Sequence, residues 1–398
     1  MRNLRFLIGR EFRIFWHNKV FVVAFLFMPL AMAFVLGNVY KKGKMTDLPV
    51  VLVDNDQTPA SDKFSGMLQD NPQLKIVHVQ YEPGDAQRLM LDHRAVAVVV
   101  IPSRFEANLL MQKLPEINCY LNMSNTLSAG AVGTAVSVCA GTMNAGILIS
   151  SYQKRGMPAP IAAKQYESFK HNVFYEYNPT GNYLYYLWPG LIFSIIQQLL
   201  LLALGVSFSQ EFENGTFNRQ GLLGYSRNPL LLVFIKIFPY VLLGMMNIGV
   251  FFLLSIYFKV PLPLHPGVLL AAQLLLVTGS ALLGTLYSIV FPMPLKASQL
   301  LMSIASPAFT ISGFTWPQVP SILTAISNAI PLTPYLQIMR MTIFQNANWQ
   351  DVQPQLRHLS ILIIIFLVLT LLLLYLKIRK ELKSPDDHLP VTAPASTS

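Results

Sequence analysis

The segment Ser207-Phe208-Ser209-Gln210-Glu211-Phe212-Glu213-Asn214-Gly215-Thr216 is a short acidic, glycine-containing stretch between two long apolar runs. It has no metal-ligand spacing and no nucleophile beside a base. What it offers is a polar turn carrying two carboxylates, which suits the docking of a partner protein. The other titratable groups assemble no reaction centre. His17, His78, His93, His171, His265, His358 and His388 are scattered, and none sits on an apolar run beside an Asp or Glu. Cys119 and Cys139 form no CxxC pair, so no zinc site is indicated. They read as two buried thiols or, outside the cytoplasm, as a permitted disulfide. Asp54-Asn55-Asp56 lacks the calcium-loop spacing with a later Glu, and no G-x-x-x-x-G-K-[ST] is present to cradle nucleotide phosphates.

Polar groups inside apolar runs are the second kind of candidate. Ser194, Gln197 and Gln198 fall at helical spacing on one run, and Ser303, Ser306, Thr310 and Ser312 on another. They could line a path for a polar cargo, or simply bond helix to helix. Phe309 and Phe314 could form a constriction there or pack as ordinary aromatics. Pro307 should kink its run locally.

The elements that hold these residues belong to a membrane. Of 398 residues, 53% are hydrophobic and only 12% charged, against roughly 25% charged in soluble domains. Mean hydropathy is +0.46. The net charge of +10 does not indicate nucleic acid, because no basic groove with interleaved aromatics is present. A membrane-crossing helix needs about 20 largely apolar residues. The expected spans are Val20–Tyr40, Tyr185–Phe208, Leu230–Tyr257, Pro266–Val290, Ala297–Phe314 and Leu359–Leu376. Residues 1–19 interleave Arg2, Arg5, Arg10, Arg13 and Lys19 with Leu4, Phe6, Leu7, Ile8, Phe12, Phe15 and Trp16. That pattern predicts a helix lying in the membrane interface, leading into an uncleaved signal-anchor.

Lys and Arg orient the spans. The leader, the 209–229 loop with Arg219 and Arg227, Lys296, and the tail with Lys377, Arg379, Lys380 and Lys383 would face the cytoplasm. The loop 258–265 carries only Lys259, and the segment 315–339 has no Lys or Arg. Both termini are therefore expected in the cytoplasm, with residues 381–398 as a disordered tail.

Residues 41–182 have a different texture. Leu48–Asp54 and Ala95–Ile101 are short β-branched runs bounded by turn residues, and Leu74–Gln80 and Glu116–Leu121 are further expected strands. Helices are expected at Ser61–Gln69, Asp85–Leu91 and Phe105–Gln112, giving a small extracytoplasmic α/β domain. Leu127–Gln153 has no charge but is rich in Ala, Gly, Ser, Thr and Asn. It reads as a packed helix of this domain, since a span here would invert everything downstream. Segment 154–182 would return the chain to the membrane, with Tyr183, Tyr185, Tyr186 and Trp188 as interfacial anchors.

Taken in order, these features resemble the type-2 ABC transporter permeases, bacterial exporter subunits with a large extracytoplasmic domain between the first two helices. The resemblance covers nearly the whole chain. Arg10-Glu11-Phe12 is similar to the family's amphipathic connecting helix. Ser209–Thr216, then Ser226-Arg227-Asn228-Pro229 and Lys236, resembles its signature between spans two and three. Phe314-Thr315-Trp316-Pro317-Gln318-Val319-Pro320 and Ile330-Pro331-Leu332-Thr333-Pro334-Tyr335 resemble its re-entrant segment, here 315–345, and Asn348-Trp349 fits too. Phe212 departs from the family, which often has a basic residue there. The resemblance implies that loop 209–228 is a coupling helix contacting a nucleotide-binding subunit. Glu211, Phe212, Glu213, Asn214, Gly215 and Thr216, with Arg10 and Glu11, would then meet the ATPase. Negative charge is favourable near a helix N-terminus.

The resemblance also implies that spans two and five line the substrate path, and that the assembly has two permeases and two ATPases. Paired carboxylates for a proton relay are nearly absent from the spans, so the energy must come from ATP and magnesium held by the partner. The expected function is a non-catalytic exporter subunit in the bacterial inner membrane for an amphipathic, drug-like or lipid-like compound. A second copy or paralogue and a periplasmic adaptor are its further expected partners. The competing reading, a membrane-anchored ligand-sensing receptor, needs one or two spans rather than six.

Overall fold

The computed structural model describes residues 2–111, 113–166, 173–316 and 318–383. Gln112, Pro317, His171, His388 and the tail from 384 onward lie outside the described residues. The chain forms two compact units, one holding residues up to Lys41 and from Glu176 onward, the other Lys42–Tyr175.

Helix α1 (Arg2–His17) leads the first unit, followed by α2 (Lys19–Val22), a wide π turn (Val23–Phe27) and α3 (Met28–Val39). The π turn falls just before Pro29. A proline ring crowds the carbonyl four residues back, and one wider turn relieves that crowding.

The second unit carries a four-stranded sheet ordered β2-β1-β3-β4. Its elements are β1 (Leu48–Asp54), α4 (Pro59–Gln69), β2 (Leu74–Gln80), α5 (Ala86–Asp92), β3 (Ala97–Ile101), α6 (Phe105–Leu110), β4 (Asn118–Leu121), α7 (Thr126–Lys154) and α8 (Ala159–Gln165). β1 pairs in parallel with β2 and β3, while β4 runs antiparallel to β3. The central strands are almost wholly buried, as parallel strands covered on both faces should be. Val132, Ala135, Val136, Cys139 and Met143 of α7 join Val50, Leu52, Val99 and Ile101 in one core. The cysteines are free, and Cys139 Sγ lies 3.4 Å from the Met67 carbonyl.

The first unit resumes with α9 (Tyr183–Gly205), α10 (Ser207–Glu213), α11 (Leu222–Tyr225), α12 (Pro229–Phe258), α13 (Pro266–Val290), α14 (Pro294–Ala305), α15 (Ala308–Ile311), α16 (Ser321–Asn328), α17 (Leu332–Phe344) and α18 (Gln353–Lys383). α9 and α13 form its buried centre. Trp188 on α9 donates its indole N–H to the Ala33 carbonyl at 2.7 Å, fixing α3 against it.

Among the described residues, six helical stretches are long and apolar enough to cross a membrane: Lys19–Val39, Thr126–Lys154, Tyr183–Glu213, Pro229–Phe258, Pro266–Val290 and Gln353–Lys383. Five coincide with expected spans. The sixth is α7, which buries one side in the core of the second unit. The expected span Ala297–Phe314 is not one helix. It breaks between Ala305 and Ala308, where Pro307 can give no backbone hydrogen bond. The expected re-entrant segment is likewise a pair of short helices, α16 and α17.

Candidate functional site

Helix α1 buries a stripe at a spacing of four: Leu7, Glu11 and Phe15. Two are apolar, and the third is a carboxylate only 5% exposed. A buried charge must find an opposite charge and hydrogen bonds. Glu11 finds a cation across the helix interface and a hydrogen bond from its neighbour on α1. Lys236, 3% exposed among the apolar residues of α12, places Nζ 3.2 Å from Glu11 Oε1 and 2.7 Å from Glu211 Oε1. Arg10 closes the array. Its Nη1 donates to Glu11 Oε1 at 2.9 Å, and its Nη2 donates to both Glu211 oxygens at 2.8 and 3.0 Å. Two cations and two carboxylates thus form a neutral network. It ties the N-terminal helix to α10, 201 residues on from Arg10 to Glu211, and α10 to α12, a further 25 residues on at Lys236.

The turn after α10 exists to complete that network. Gly215 adopts φ +65°, the left-handed conformation that glycine takes without steric cost. Its N–H bonds to the Phe212 carbonyl at 3.3 Å, and the Thr216 N–H bonds to the Glu211 carbonyl at 3.0 Å. This is the Schellman arrangement that ends a helix. It folds Thr216 back so that its hydroxyl donates to Glu211 Oε2. The chain then passes so close that a Cβ on Gly221 would lie 2.1 Å from the Thr216 carbonyl oxygen. Phe212 packs on Phe217, with ring centroids 4.9 Å apart, and Lys377 Nζ of α18 sits 5.3 Å from the Phe212 ring. Arg219 donates to the Leu382 carbonyl at 2.6 Å.

The expectation that Glu211 presents its charge to a partner is therefore corrected. Glu211 is 4% exposed and its oxygens are occupied within the chain. Glu213 lies two residues on, about 200° around the helix, and is exposed with Asn214, Gly215 and Thr216. The outward surface of this segment is Glu213–Thr216. Arg10 and Glu11 belong to its internal support.

The residues expected to line a path divide between interior and surface. Ser194 and Gln197 on α9 are enclosed, and neither the amide nitrogen nor the amide oxygen of Gln197 has a partner among the described residues. Gln198 is half-buried, while Ser306 and Thr310 are exposed beside the Pro307 break. Phe309 and Phe314 do meet, with centroids 5.3 Å apart. Both press on α9 where it has no side chain: a Cβ on Gly190 would stand 2.7 Å from the Phe314 ring and 3.1 Å from Phe309.

The order is thus an amphipathic helix, a long helix, an inserted α/β unit, then helices joined by an ion-locked acidic turn. The family profile described as ABC-2 family transporter protein matches residues 19–375. The chain belongs to the ABC-2 transporter family. It is a multi-pass membrane protein and a permease subunit of an ABC transporter, a transport component whose family implies an ABC ATPase as partner. Comparison with curated proteins gives no match.

Sequence reasoning missed Arg340 on α17. The segment 315–339 is free of Lys and Arg, and Arg340 stands immediately after it. No sequence signal marked it, because its role shows only in the packing around it, where Ile338, Met339, Thr342 and Ile343 are all buried.

Proposed function

We propose that this ABC-2 permease subunit is the membrane half of an exporter for amphipathic compounds, and that it docks its ATPase through Glu213–Thr216 and the adjoining face. The observation that carries this reading is the buried Arg10–Glu11–Glu211–Lys236 network. A solvated loop has no need of four paired charges beneath it. A loop that must transmit a push from a partner into α1 and α12 does, because a neutral, fully bonded array moves as one body. Arg10 of α1, Arg219 and Lys377 of α18 lie at this turn, and under the positive-inside rule that supports a cytoplasmic location for it. The Lys42–Tyr175 unit would then lie outside the cytoplasm, with α7 part of it. A second copy or paralogue completes the path between spans, ATP and magnesium sit on the partner ATPases, and a periplasmic adaptor receives the cargo.

The test is reconstitution. The permease alone should leave ATP untouched. With its ATPase in proteoliposomes it should accelerate ATP hydrolysis when an amphipathic substrate is added. In intact cells, a Lys113→Cys variant should react with an impermeant thiol reagent. Hydrolysis unaffected by the permease, or labelling only after the membrane is broken, would overturn the reading.

A further inference from the structure

We infer that a cavity around Arg340 binds the anionic head group, phosphate or carboxylate, of a membrane amphiphile. The cavity has a volume of about 270 Å³ and lies between the 311–314 turn, α16 and α17. Its lining is polar for a unit this apolar: Ser312, Thr324, Asn328, Gln337 and Arg340 all contribute. It lies toward the Tyr186 end of α9, whereas the ion network lies beyond the other end. A helix of 23 residues separates them by about 34 Å.

Arg340 is held in place but not neutralised. Its Nη2 donates to the Phe314 carbonyl at 2.7 Å, and the Tyr186 hydroxyl bonds to the same oxygen at 2.6 Å. The guanidinium sits 4.5 Å from the Phe314 ring centroid and 5.8 Å from that of Tyr186. Aromatic faces orient a cation and attract it weakly. No carboxylate pairs with Arg340 among the described residues, and its buried Nε has no hydrogen-bond partner. Lys236, the fully enclosed cation at the other end, has two carboxylates within 3.2 Å. An ionised side chain in a membrane unit is costly unless partnered. A guanidinium fork with free donors matches the oxygens of phosphate or carboxylate. The polar hydroxyl and amide groups around it can take the remaining oxygens.

The cavity holds a head group but not a lipid. Ile322 and Ile326, on the same helix as Thr324 and Asn328, are exposed, so an acyl tail can leave the cavity along an apolar surface. This deepens the reading of the chain as a permease for amphipathic compounds and rests on it. Its test is a binding measurement, independent of ATP hydrolysis or transport.

The full-length permease, purified in a neutral detergent, is titrated with radiolabelled dodecyl phosphate. Dodecanol shares the tail without the charge and should compete at least about tenfold less well, the scale of a charge-assisted hydrogen bond. Asn328→Asp supplies an internal carboxylate at an exposed position and should weaken binding by about tenfold or more, with thermal stability unchanged. Arg340→Gln should do the same, and Asn328→Asp keeps the test valid should Arg340→Gln fold poorly. Competition by inorganic phosphate at concentrations similar to dodecyl phosphate would identify a free-anion source, and competition only at far higher concentrations the amphiphile head group. Both outcomes support anion recognition at Arg340. Equal competition by dodecanol, or Asn328→Asp binding as wild type does, would overturn it.

Discussion

Replacing Glu211 by Gln should destabilise the permease, whereas the same change at Glu213 should not. In the wild type, Glu211 meets Arg10 through two hydrogen bonds and Lys236 through one at 2.7 Å, all in a site almost closed to water. The amide keeps the shape but removes the charge, so the network becomes two cations against one carboxylate. Breaking a buried ion pair by removing one partner costs about 3–5 kcal/mol. With a conversion of roughly 2–4 °C per kcal/mol, the melting temperature should fall on the order of 6–20 °C. Glu213→Gln, at an exposed position, should stay within about 0.5 kcal/mol of wild type. The assay is thermal unfolding of purified variants in one detergent, with Arg10→Gln and the Arg10→Gln/Glu211→Gln double variant completing a cycle. The double variant restores neutrality, so it should be less destabilised than the sum of the singles by about 1 kcal/mol or more. Equal melting temperatures for Glu211→Gln and Glu213→Gln, or simple additivity in the cycle, would refute the reasoning.

Two further outcomes concern the turn after α10 and Asp56 of the second unit. Gly221→Ala puts a Cβ 2.1 Å from the Thr216 carbonyl oxygen; it should open the turn after α10 and reduce copurification with the ATPase, while Gly9→Ala, with no atom within 4 Å of its added Cβ, should copurify normally. In the second unit, burial pulls the Asp56 carboxyl upward. Hydrogen bonds from the Thr58 hydroxyl and the backbone N–H groups of the 104–106 turn outweigh it, holding the carboxyl below its ordinary 3.8. A depressed carboxylate stabilises the fold above its unfolded value and loses that contribution as pH falls through the folded one. Asp56→Asn should therefore melt below wild type at pH 7, and the gap should close at pH below about 4.

Much of the fold was legible because local physics decides it. The runs Leu48–Asp54 and Leu74–Gln80 are strands over those residues in the structure, since β-branched runs between turn residues have few alternatives. The small residues of α7 let it pack on the sheet core through Val132, Ala135, Val136 and Cys139, although the helix is also long and apolar enough to cross a membrane. The run Ala297–Phe314 misled because hydropathy averages over Pro307, whereas the backbone cannot. The candidate site was half legible. Sequence order picks out Ser209–Thr216 as a unit, but Glu211 and Glu213 look alike when counted as loop acids. Only the helical turn, which sends them to opposite faces, separates the buried carboxylate from the exposed one. The spacing Leu7-Glu11-Phe15 carried that information for Glu11, since a carboxylate centred on an apolar stripe needs a cation opposite. Arg340 was invisible because its meaning lies in what is missing around it, and only packing shows that.

The most direct test of the account is a cross-link. A photoreactive amino acid is placed at Asn214, exposed on the turn above the ion network, or at Ile322, exposed on α16 toward the other end of α9. The permease is then irradiated in the presence of its ATPase. The account predicts a covalent permease–ATPase product from position 214 and none from position 322. A product from 322, or none from 214 while the complex stays assembled, would contradict it.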